Sequence, residues 1–271
     1  MENKIPVRFF IVTFLWTWFF WLVPLVLAEI GIVSENNQLW SNFSLLLKVI
    51  GIFGPAIGAF VSLYTINGKG SIKNHLKLFI SLKFGWKVWL AILPILGFSM
   101  FITWIFPEFF GEERLPSNLP NIYIFPLYLL FMVIFGGGQE EIGWRGYILP
   151  FLEKRFGLIF GSLILGIIWS IWHIPLFFIP GSYQEYMNIF AYILLCIGLS
   201  YFFSWVIEAS GNRLLSGVIA HGAINAFIDL FPFLIKDSDA KQLRFWIYCV
   251  FMFIVGIIIV IIRTHKKRIN V

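Results

Sequence analysis

Residues 9–28 read FFIVTFLWTWFFWLVPLVLA, a run of twenty positions without a charged side chain. A helix needs about 20 mostly apolar residues to cross the hydrocarbon core of a bilayer, so this run predicts a membrane-spanning helix. With its flanks it extends over 8–28, and similar runs follow near 43–66, 87–106, 122–139, 158–179, 187–207, 214–235 and 244–262. The sequence therefore predicts an all-α, polytopic membrane protein with about eight transmembrane helices. We expect residues 1–271 to form a single integral membrane domain.

The composition of the chain supports this class. Hydrophobic residues make up 59% of the 271 residues and charged residues 13%, and the mean hydropathy is +0.87. A soluble domain carries about 25% charged residues, so a water-soluble globule is excluded. The apolar fraction is also too high for a disordered chain. Cys196 and Cys249 lie inside apolar runs and indicate neither a disulfide framework nor a cysteine metal site.

The charges between the apolar runs predict the orientation. The first connection carries Glu35 and no basic residue, and the third is mostly acidic. Basic residues collect at the two ends and in the even-numbered connections, as Lys4, Arg8, Lys69, Lys73, Lys77, Lys83, Lys87, Lys154, Arg155, Arg213, Arg263, Lys266, Lys267 and Arg268. By the positive-inside rule, both termini are predicted in the cytoplasm of a cell-membrane protein. The net charge of +6 is then a topology signal, and no nucleic-acid partner is indicated.

The lysine-rich stretch 69–87 alternates lysines with apolar residues. This pattern is typical of an amphipathic segment on the anionic inner leaflet, with substrate docking as an alternative. We expect His75, within this stretch, to be solvated. The spacings Gly54–Gly58 and Gly157–Gly161 predict positions where two helix backbones approach closely.

A few polar residues fall inside the predicted spans, where a charged group costs about 3 kcal/mol unless it is paired or faces water. They are Glu140, Glu141, Arg145, His173, His221, Asn225 and Asp229. Such residues are functional candidates, because an ionisable side chain inside the membrane is costly and usually marks a functional site.

Glu141 and Arg145 are four residues apart, the favourable acid-before-base spacing for a pair on one helix face. Glu140 then points about 100° away and has no basic partner on its own face. A carboxylate in such an environment suits a general base. The alternative is a purely structural ion network. Three glycines at 136–138 should loosen the helix just before these residues.

The other polar candidates lie on two later spans. His173 follows Trp169 by one turn, and a lone histidine there could simply bond a backbone carbonyl. His221 and Asn225 share one helix face. Asp229 continues that face by one turn, and we interpret it as marking the approach to the outer interface.

Together these side chains suit the hydrolysis of a carbonyl substrate. A carboxylate can take a proton from water, imidazole can position that water, and histidine or asparagine can stabilise an oxyanion. Glu140, His173 and His221 could instead bind zinc or another divalent metal with an open position. No G-x-S-x-G motif occurs, so a serine hydrolase has little support.

Three motifs resemble one known family, the CAAX prenyl endopeptidase and bacteriocin-processing (CPBP) family, also called type II CAAX protease-like. Residues 140–145, EEIGWR, resemble its EExxxR motif. Residues 169–173, WSIWH, resemble FxxxH, and residues 221–225, HGAIN, resemble HxxxN. The run FGPA at 53–56 is also similar, and the resemblance covers roughly 50–235.

The resemblance implies an intramembrane endopeptidase with a catalytic core of about 122–235. It implies that Glu140 activates water together with His173, and that His221 and Asn225 support the oxyanion. Two further residues of the first motif would hold it in place, Glu141 and Arg145. Trp169 stands where phenylalanine is usual, and we expect little consequence from this difference.

The resemblance leaves the cofactor open, because the family includes proteins classed as metalloproteases and others viewed as glutamate-dependent. We slightly favour a metal-free mechanism based on Glu140. The expected partners are the bilayer and a peptide or protein substrate, with or without a lipid attached. Peptide maturation, CAAX-type processing and bacteriocin self-immunity all fit. A transporter or a non-catalytic scaffold is the alternative.

A joint site also requires that residues from different spans reach the same depth. Along straight helices, Glu140 lies about 21 Å from Lys154, whereas His221 lies about 12 Å from Arg213. A sunken loop at 210–216, a strong tilt or a kink at Gly136–Gly138 would reconcile these depths.

Overall fold

The computed structural model describes residues 5–32, 38–237 and 239–269, and all regular secondary structure within them is helical. Twelve α-helices follow one another: α1 Val7–Glu29, α2 Gln38–Ile52, α3 Gly54–Asn67, α4 Lys69–Lys77, α5 Trp86–Leu90, α6 Ser99–Ile105, α7 Phe125–Phe135, α8 Glu141–Gly143, α9 Leu149–Trp172, α10 Ile189–Ala209, α11 Leu214–Leu230 and α12 Leu243–Ile269. Two π-helical segments continue the helices, Ala91–Phe98 and Trp144–Ile148. Five short 3₁₀ turns complete the fold: Phe106–Phe110, Ile122–Ile124, Gly138–Glu140, Ile174–Phe178 and Tyr183–Tyr186.

Each of the eight predicted apolar runs coincides with helical structure, so the all-α, multi-pass fold is confirmed. Within the described residues, five helical stretches are long and apolar enough to span a membrane: Val7–Glu29, Val88–Phe110, Ile122–Phe178, Ile189–Ala209 and Leu243–His265. A sixth is possible if α2 and α3, bent by 43°, form one span. The count of eight stays a prediction. Of the residues used for topology, Lys4 and Glu35 lie outside the described part.

Small residues allow α1 and α3 to pack closely, as predicted for the Gly54–Gly58 spacing. A Cβ at Gly54 would lie 2.7 Å from the Thr13 carbonyl oxygen, and one at Gly58 would lie 2.9 Å from the Phe9 carbonyl oxygen. A larger side chain at either glycine would therefore force the two helices apart.

The Gly157–Gly161 spacing has a different role from the one predicted. Gly157 has a positive φ of 80° and marks a sharp kink inside α9. It has open space around it, whereas a Cβ at Gly161 would lie 2.8 Å from the backbone nitrogen of Glu153. The predicted close approach of two backbones is confirmed at Gly161, but it occurs between the two parts of α9 on either side of the Gly157 kink and not between two separate elements. The pair instead lets one segment fold back on itself.

Helix α10 occupies the centre of the fold, and most of its side chains are buried. It packs against α9, α11 and α12. Hydrogen bonds add to the apolar contacts with α9, because Ser200 Oγ donates to the Ser162 carbonyl at 2.8 Å and Ser162 Oγ donates to Ser204 Oγ at 3.1 Å. This central helix fixes the positions of α9 and α11, which carry the second and third motifs.

Helix α4 lies within the lysine-rich stretch, and its Lys69, Lys73 and Lys77 are exposed. The prediction that His75 is solvated is wrong, because only 7% of its surface is exposed. Its Nε2 lies 2.9 Å from the Ile142 carbonyl oxygen, inside the first motif. Burial lowers the pKa of His75, and the hydrogen bond to Ile142 partly offsets this effect.

We predict that His75→Ala lowers the free energy of unfolding by about 1–3 kcal/mol, because it removes a hydrogen bond and leaves a buried carbonyl oxygen without its partner. Since the pKa of His75 is lowered in the folded state, this difference should be full above pH about 6.5 and shrink as the pH falls. Thermal unfolding in detergent at several pH values measures it. Lys73→Ala, on the exposed face of the same helix, is the control, and an equal loss there would contradict the assignment.

Candidate active site

A break in the backbone places the first motif. Helix α7 ends at Phe135, and Gly137 then adopts a φ of 120°. A Cβ at Gly137 would lie 2.6 Å from Asn225 Nδ2 and 2.7 Å from His221 Nε2, so a larger residue would displace both side chains. The proposed kink at Gly136–Gly138 is thus present, and it brings the backbone just before the first motif into contact with the third motif.

The run at 53–56 packs against the first motif from behind. The backbone of Gly143, in α8, lies directly against the Pro55 carbonyl, and no Cβ would fit between them. Pro55 and Gly54 begin helix α3, whose close contact with α1 was described above. The similarity of the 53–56 run to the family is therefore explained by contact with the motif.

Glu140 is buried, with 4% of its surface exposed. Its Oε2 accepts hydrogen bonds from the indole nitrogens of Trp144 at 3.2 Å and Trp169 at 3.0 Å. Within the described part of the chain, Oε1 has no hydrogen-bond donor. Two fixed donors on one oxygen hold the carboxylate in a single orientation and leave the other oxygen free to interact with a ligand.

Glu141 is completely buried and shares one oxygen between two partners. Its Oε1 accepts from Arg145 Nη1 at 2.9 Å and lies 2.7 Å from His221 Nδ1. The predicted Glu141–Arg145 pair is confirmed. The guanidinium also lies between the rings of Trp169 and Phe203, at 5.0 and 5.1 Å from their centroids. Stacking on aromatic faces stabilises a buried cation.

The two histidines have the same hydrogen-bonding pattern, with Nδ1 bound to a protein acceptor. His173 Nδ1 lies 2.8 Å from the Trp169 carbonyl, and His221 Nδ1 faces the Glu141 carboxylate. A carbonyl and a carboxylate can only accept, so Nδ1 carries the hydrogen in both rings. Nε2 is then free on both, an acceptor when the ring is neutral and a donor when it is protonated.

Glu140, His173, His221 and Asn225 line one cavity of about 290 Å³. Most of the remaining wall is apolar, with Trp21, Met132 and Ile228 among its residues. Asn225 Nδ2 donates to the Gly136 carbonyl, which ties the third motif to the glycine break. All four predicted catalytic residues therefore meet in one place, with Glu141 and Arg145 behind them.

Asp229 also lines this cavity and is more than an interface marker. Its Oδ1 accepts from Asn118 Nδ2 at 3.0 Å and from the Tyr183 hydroxyl at 2.6 Å, and its Oδ2 accepts from the Tyr128 hydroxyl. Burial and the nearby Asp229 carboxylate raise the pKa of Tyr183 above its usual value. One carboxylate thus joins α11, α7 and two connecting segments at the edge of the cavity.

Sequence reasoning missed several residues of the site. The indoles of Trp144 and Trp169 gave no signal, since tryptophan in an apolar run looks like any core residue. Trp169 is nevertheless more than an aromatic replacement for phenylalanine, because only an indole can donate to Glu140. Lys48 lines the cavity too, and its position inside the predicted 43–66 run could have drawn attention to it.

The described residues do not fit a metal centre as they are placed. No group of three or more histidine, cysteine, aspartate or glutamate side chains among them is close enough to hold an ion. The hydrogen bonds to Glu140 Oε2 and to the two Nδ1 atoms leave Glu140 Oε1 and the Nε2 atoms of His173 and His221 as the atoms that a ligand could contact.

This fold and cavity define a class: a helical membrane protein with a buried carboxylate, two histidines and an asparagine at one internal site. The model of the family described as type II CAAX prenyl endopeptidase Rce1-like matches residues 122–227. A curated relative, CAAX prenyl protease 2 of Methanococcus maripaludis, is 26% identical over 240 residues, covering 81% of this chain and 82% of the relative. The predicted resemblance is confirmed, because the matched residues 122–227 contain all three motifs. Both likenesses support the function of an intramembrane endopeptidase. Neither comparison favours a transporter.

We predict that Trp169→Phe lowers kcat by roughly tenfold, since losing a hydrogen bond to a charged group costs about 1.5 kcal/mol and frees Glu140 to rotate. KM should change little, because the aromatic wall remains. The measurement is the rate of cleavage of a quenched peptide library by the reconstituted protein. Trp104→Phe is the control, since its indole donates to Leu115 far from the cavity. Equal rates for wild type and Trp169→Phe would show that this bond does not orient the carboxylate.

We predict that Arg145→Gln lowers the free energy of unfolding by about 3–5 kcal/mol, because it leaves a buried carboxylate without its strongest partner. Thermal unfolding in detergent measures the loss. Arg114→Gln removes the exposed ion pair with Glu108 and should leave the midpoint unchanged. A small effect at Arg145 would mean that His221 alone neutralises Glu141.

Proposed function

We propose that this protein hydrolyses a peptide bond of a membrane-associated peptide or protein, using water activated by Glu140. The observation that carries the proposal is the free Oε1 of a buried, oriented glutamate in a cavity shared with two histidines. A carboxylate held in an apolar surrounding is a competent general base, since it has few competing partners.

The first step follows from the free atoms of the site. A water bound between Glu140 Oε1 and His173 Nε2 gives its proton to Glu140 while its oxygen attacks the carbonyl carbon. A new C–O bond forms, and the carbonyl oxygen becomes an oxyanion. As the tetrahedral intermediate collapses, the C–N bond breaks and Glu140 returns the proton to the leaving amine nitrogen. One water is consumed, and an acid and an amine are released.

His221 and Asn225 are the proposed donors to the oxyanion. Donation from His221 Nε2 requires the doubly protonated ring, since Nδ1 already carries the hydrogen that faces Glu141. The Glu141 carboxylate stabilises this positive ring, as a buried carboxylate does for a catalytic histidine in hydrolases. Glu141 and Arg145 therefore act as positioning residues.

We propose that the mechanism needs no metal. A zinc-dependent version would use Glu140, His173 and His221 as ligands, and it would need a separate base. The described donors are not grouped for this purpose. Glu141, the nearest other carboxylate, is already paired with Arg145 and His221.

The proposed substrate is a peptide or protein, with or without a lipid attached, that reaches the cavity from the bilayer or the cytoplasm. The mostly apolar cavity wall suits such a substrate. The name of the archaeal relative points to CAAX-type processing, and peptide maturation or bacteriocin self-immunity would use the same chemistry. We also propose a location in the cell membrane with both termini in the cytoplasm, based on the distribution of basic residues.

We predict that Glu140→Gln abolishes cleavage, with a loss of at least a hundredfold, because glutamine cannot accept the proton from water. The measurement compares protein N-termini and secreted peptides from cells that carry wild type or Glu140→Gln at matched expression. Peptide ends that vanish in the mutant identify the substrate and its cleavage site. Glu113→Gln, at an exposed carboxylate, is the control.

Two results would contradict the proposal. Unchanged peptide profiles in Glu140→Gln, with rescue of a deletion phenotype, would make Glu140 structural. A cleavage rate that falls with a chelator and returns with added zinc, measured on the purified protein, would replace the metal-free mechanism.

A further inference from the structure

Lys48 is a cation in α2, the helix that forms a candidate membrane span only together with α3. It lies ten residues into α2, within a run of apolar residues, and its side chain lines the same cavity as Glu140 and His173. A charged side chain in a mostly apolar wall requires an explanation, because an unpaired charge away from water is costly. The mechanism described above does not use it.

The backbone of Lys48 is fixed to the aromatic cluster around His173. The Lys48 carbonyl accepts a hydrogen bond from the Trp21 indole at 3.0 Å. The Trp21 ring in turn packs against Trp172 at 4.8 Å and His173 at 6.2 Å. The backbone from which the Lys48 side chain extends is therefore held in a constant position relative to His173, a proposed catalytic residue.

The Lys48 ammonium has no ion pair within 4.0 Å among the residues that the structure describes. Glu185 is the carboxylate whose charge acts on it, at longer range. Glu185 itself accepts a hydrogen bond from the backbone nitrogen of Gly181 at 2.7 Å. Asp229, on the same cavity, already accepts from three donors. The cavity is thus lined by a lysine that has no ion pair among the described residues.

We infer that Lys48 forms a specificity subsite for a carboxylate of the peptide substrate. An ammonium in a mostly apolar cavity attracts an anion far more strongly than it would in water. A charge-assisted hydrogen bond also fixes the position of that anion. The carboxylate is either the C-terminus of the substrate or an aspartate or glutamate side chain near the cleaved bond. The inference rests on the proposed peptidase function and adds the chemistry that selects the substrate.

The test uses the full-length protein in vesicles and peptides identified by their loss in Glu140→Gln cells. Each peptide is made in matched forms: free acid or amide at the C-terminus, and acidic residue or its amide near the cleavage site. Lys48→Met should lower kcat/KM for the carboxylate forms by roughly 10- to 100-fold, chiefly through KM, and leave the neutral forms unchanged. Lys48→Arg should retain most of the preference. If Lys48→Met loses the preference for the free acid over the C-terminal amide, the carboxylate is the C-terminus of the substrate. If it loses the preference for the acidic residue over its amide, the carboxylate is a side chain near the cleaved bond.

Lys69→Met, at an exposed lysine outside the cavity, is the matched control and should leave every peptide unchanged. An equal loss for acidic and neutral forms in Lys48→Met would make Lys48 structural. If kcat/KM of Lys48→Met is unchanged for every peptide, the ammonium does not contact the substrate and lies at the outer interface. Either result overturns the subsite while the cleavage itself stands. By contrast, cleavage that persists in Glu140→Gln refutes the proposed function, whatever Lys48 does.

A binding measurement keeps the test independent of turnover. Labelled peptides in the free-acid and amide forms, and in the acidic and neutral forms, are titrated onto Glu140→Gln and onto Glu140→Gln combined with Lys48→Met. The carboxylate forms should bind roughly tenfold more weakly to the double variant, and equal affinities would overturn the subsite.

Discussion

A single carboxylate oxygen links the first and third motifs of the site, and its arginine partner contacts the second. Glu141 Oε1 accepts from Arg145 within its own helical segment and faces His221 Nδ1 on α11. In an environment without water, neither the carboxylate nor the guanidinium would be stable alone. The Arg145 guanidinium also stacks against Trp169 on α9. This interaction therefore determines how α8, α9 and α11 sit around the cavity, and Glu140 takes its position from it.

The glycine break makes that arrangement possible. A continuous helix from α7 into the first motif would carry Glu140 past the depth of His221. The break at Gly136–Gly138 ends α7 early, and its backbone fits directly against His221 and Asn225. Non-helical backbone at membrane depth is tolerated where protein groups or a cavity satisfy it. Here Asn225 Nδ2 donates to the Gly136 carbonyl, so a residue that lines the cavity also satisfies the break.

Much of the fold and part of the site could be predicted from the sequence, because the bilayer imposes simple rules. Run length located all eight helical regions, and the four-residue spacing predicted the Glu141–Arg145 pair. The burial of His75 could not be predicted, since it depends on a carbonyl 67 residues away in the chain. The bend at Gly157 and the Trp169–Glu140 hydrogen bond were missed for the same reason. Tertiary neighbours decide these features, and local patterns do not encode them.

The charges of the cavity differ in how fully the protein satisfies them. Behind the cavity, Arg145 and Glu141 form an ion pair, although Glu141 Oε2 and Arg145 Nε and Nη2 have no hydrogen-bond partner among the described residues. Asp229 receives three donors. Glu140 keeps one oxygen free, and Lys48 has no ion pair in the described part of the chain. A structural network would gain stability by pairing these last two groups as well, because an unpaired charge in a low dielectric is costly. The free oxygen and the unpaired ammonium lie on the wall of the same cavity. That distribution suits a site whose remaining partners are water and a substrate.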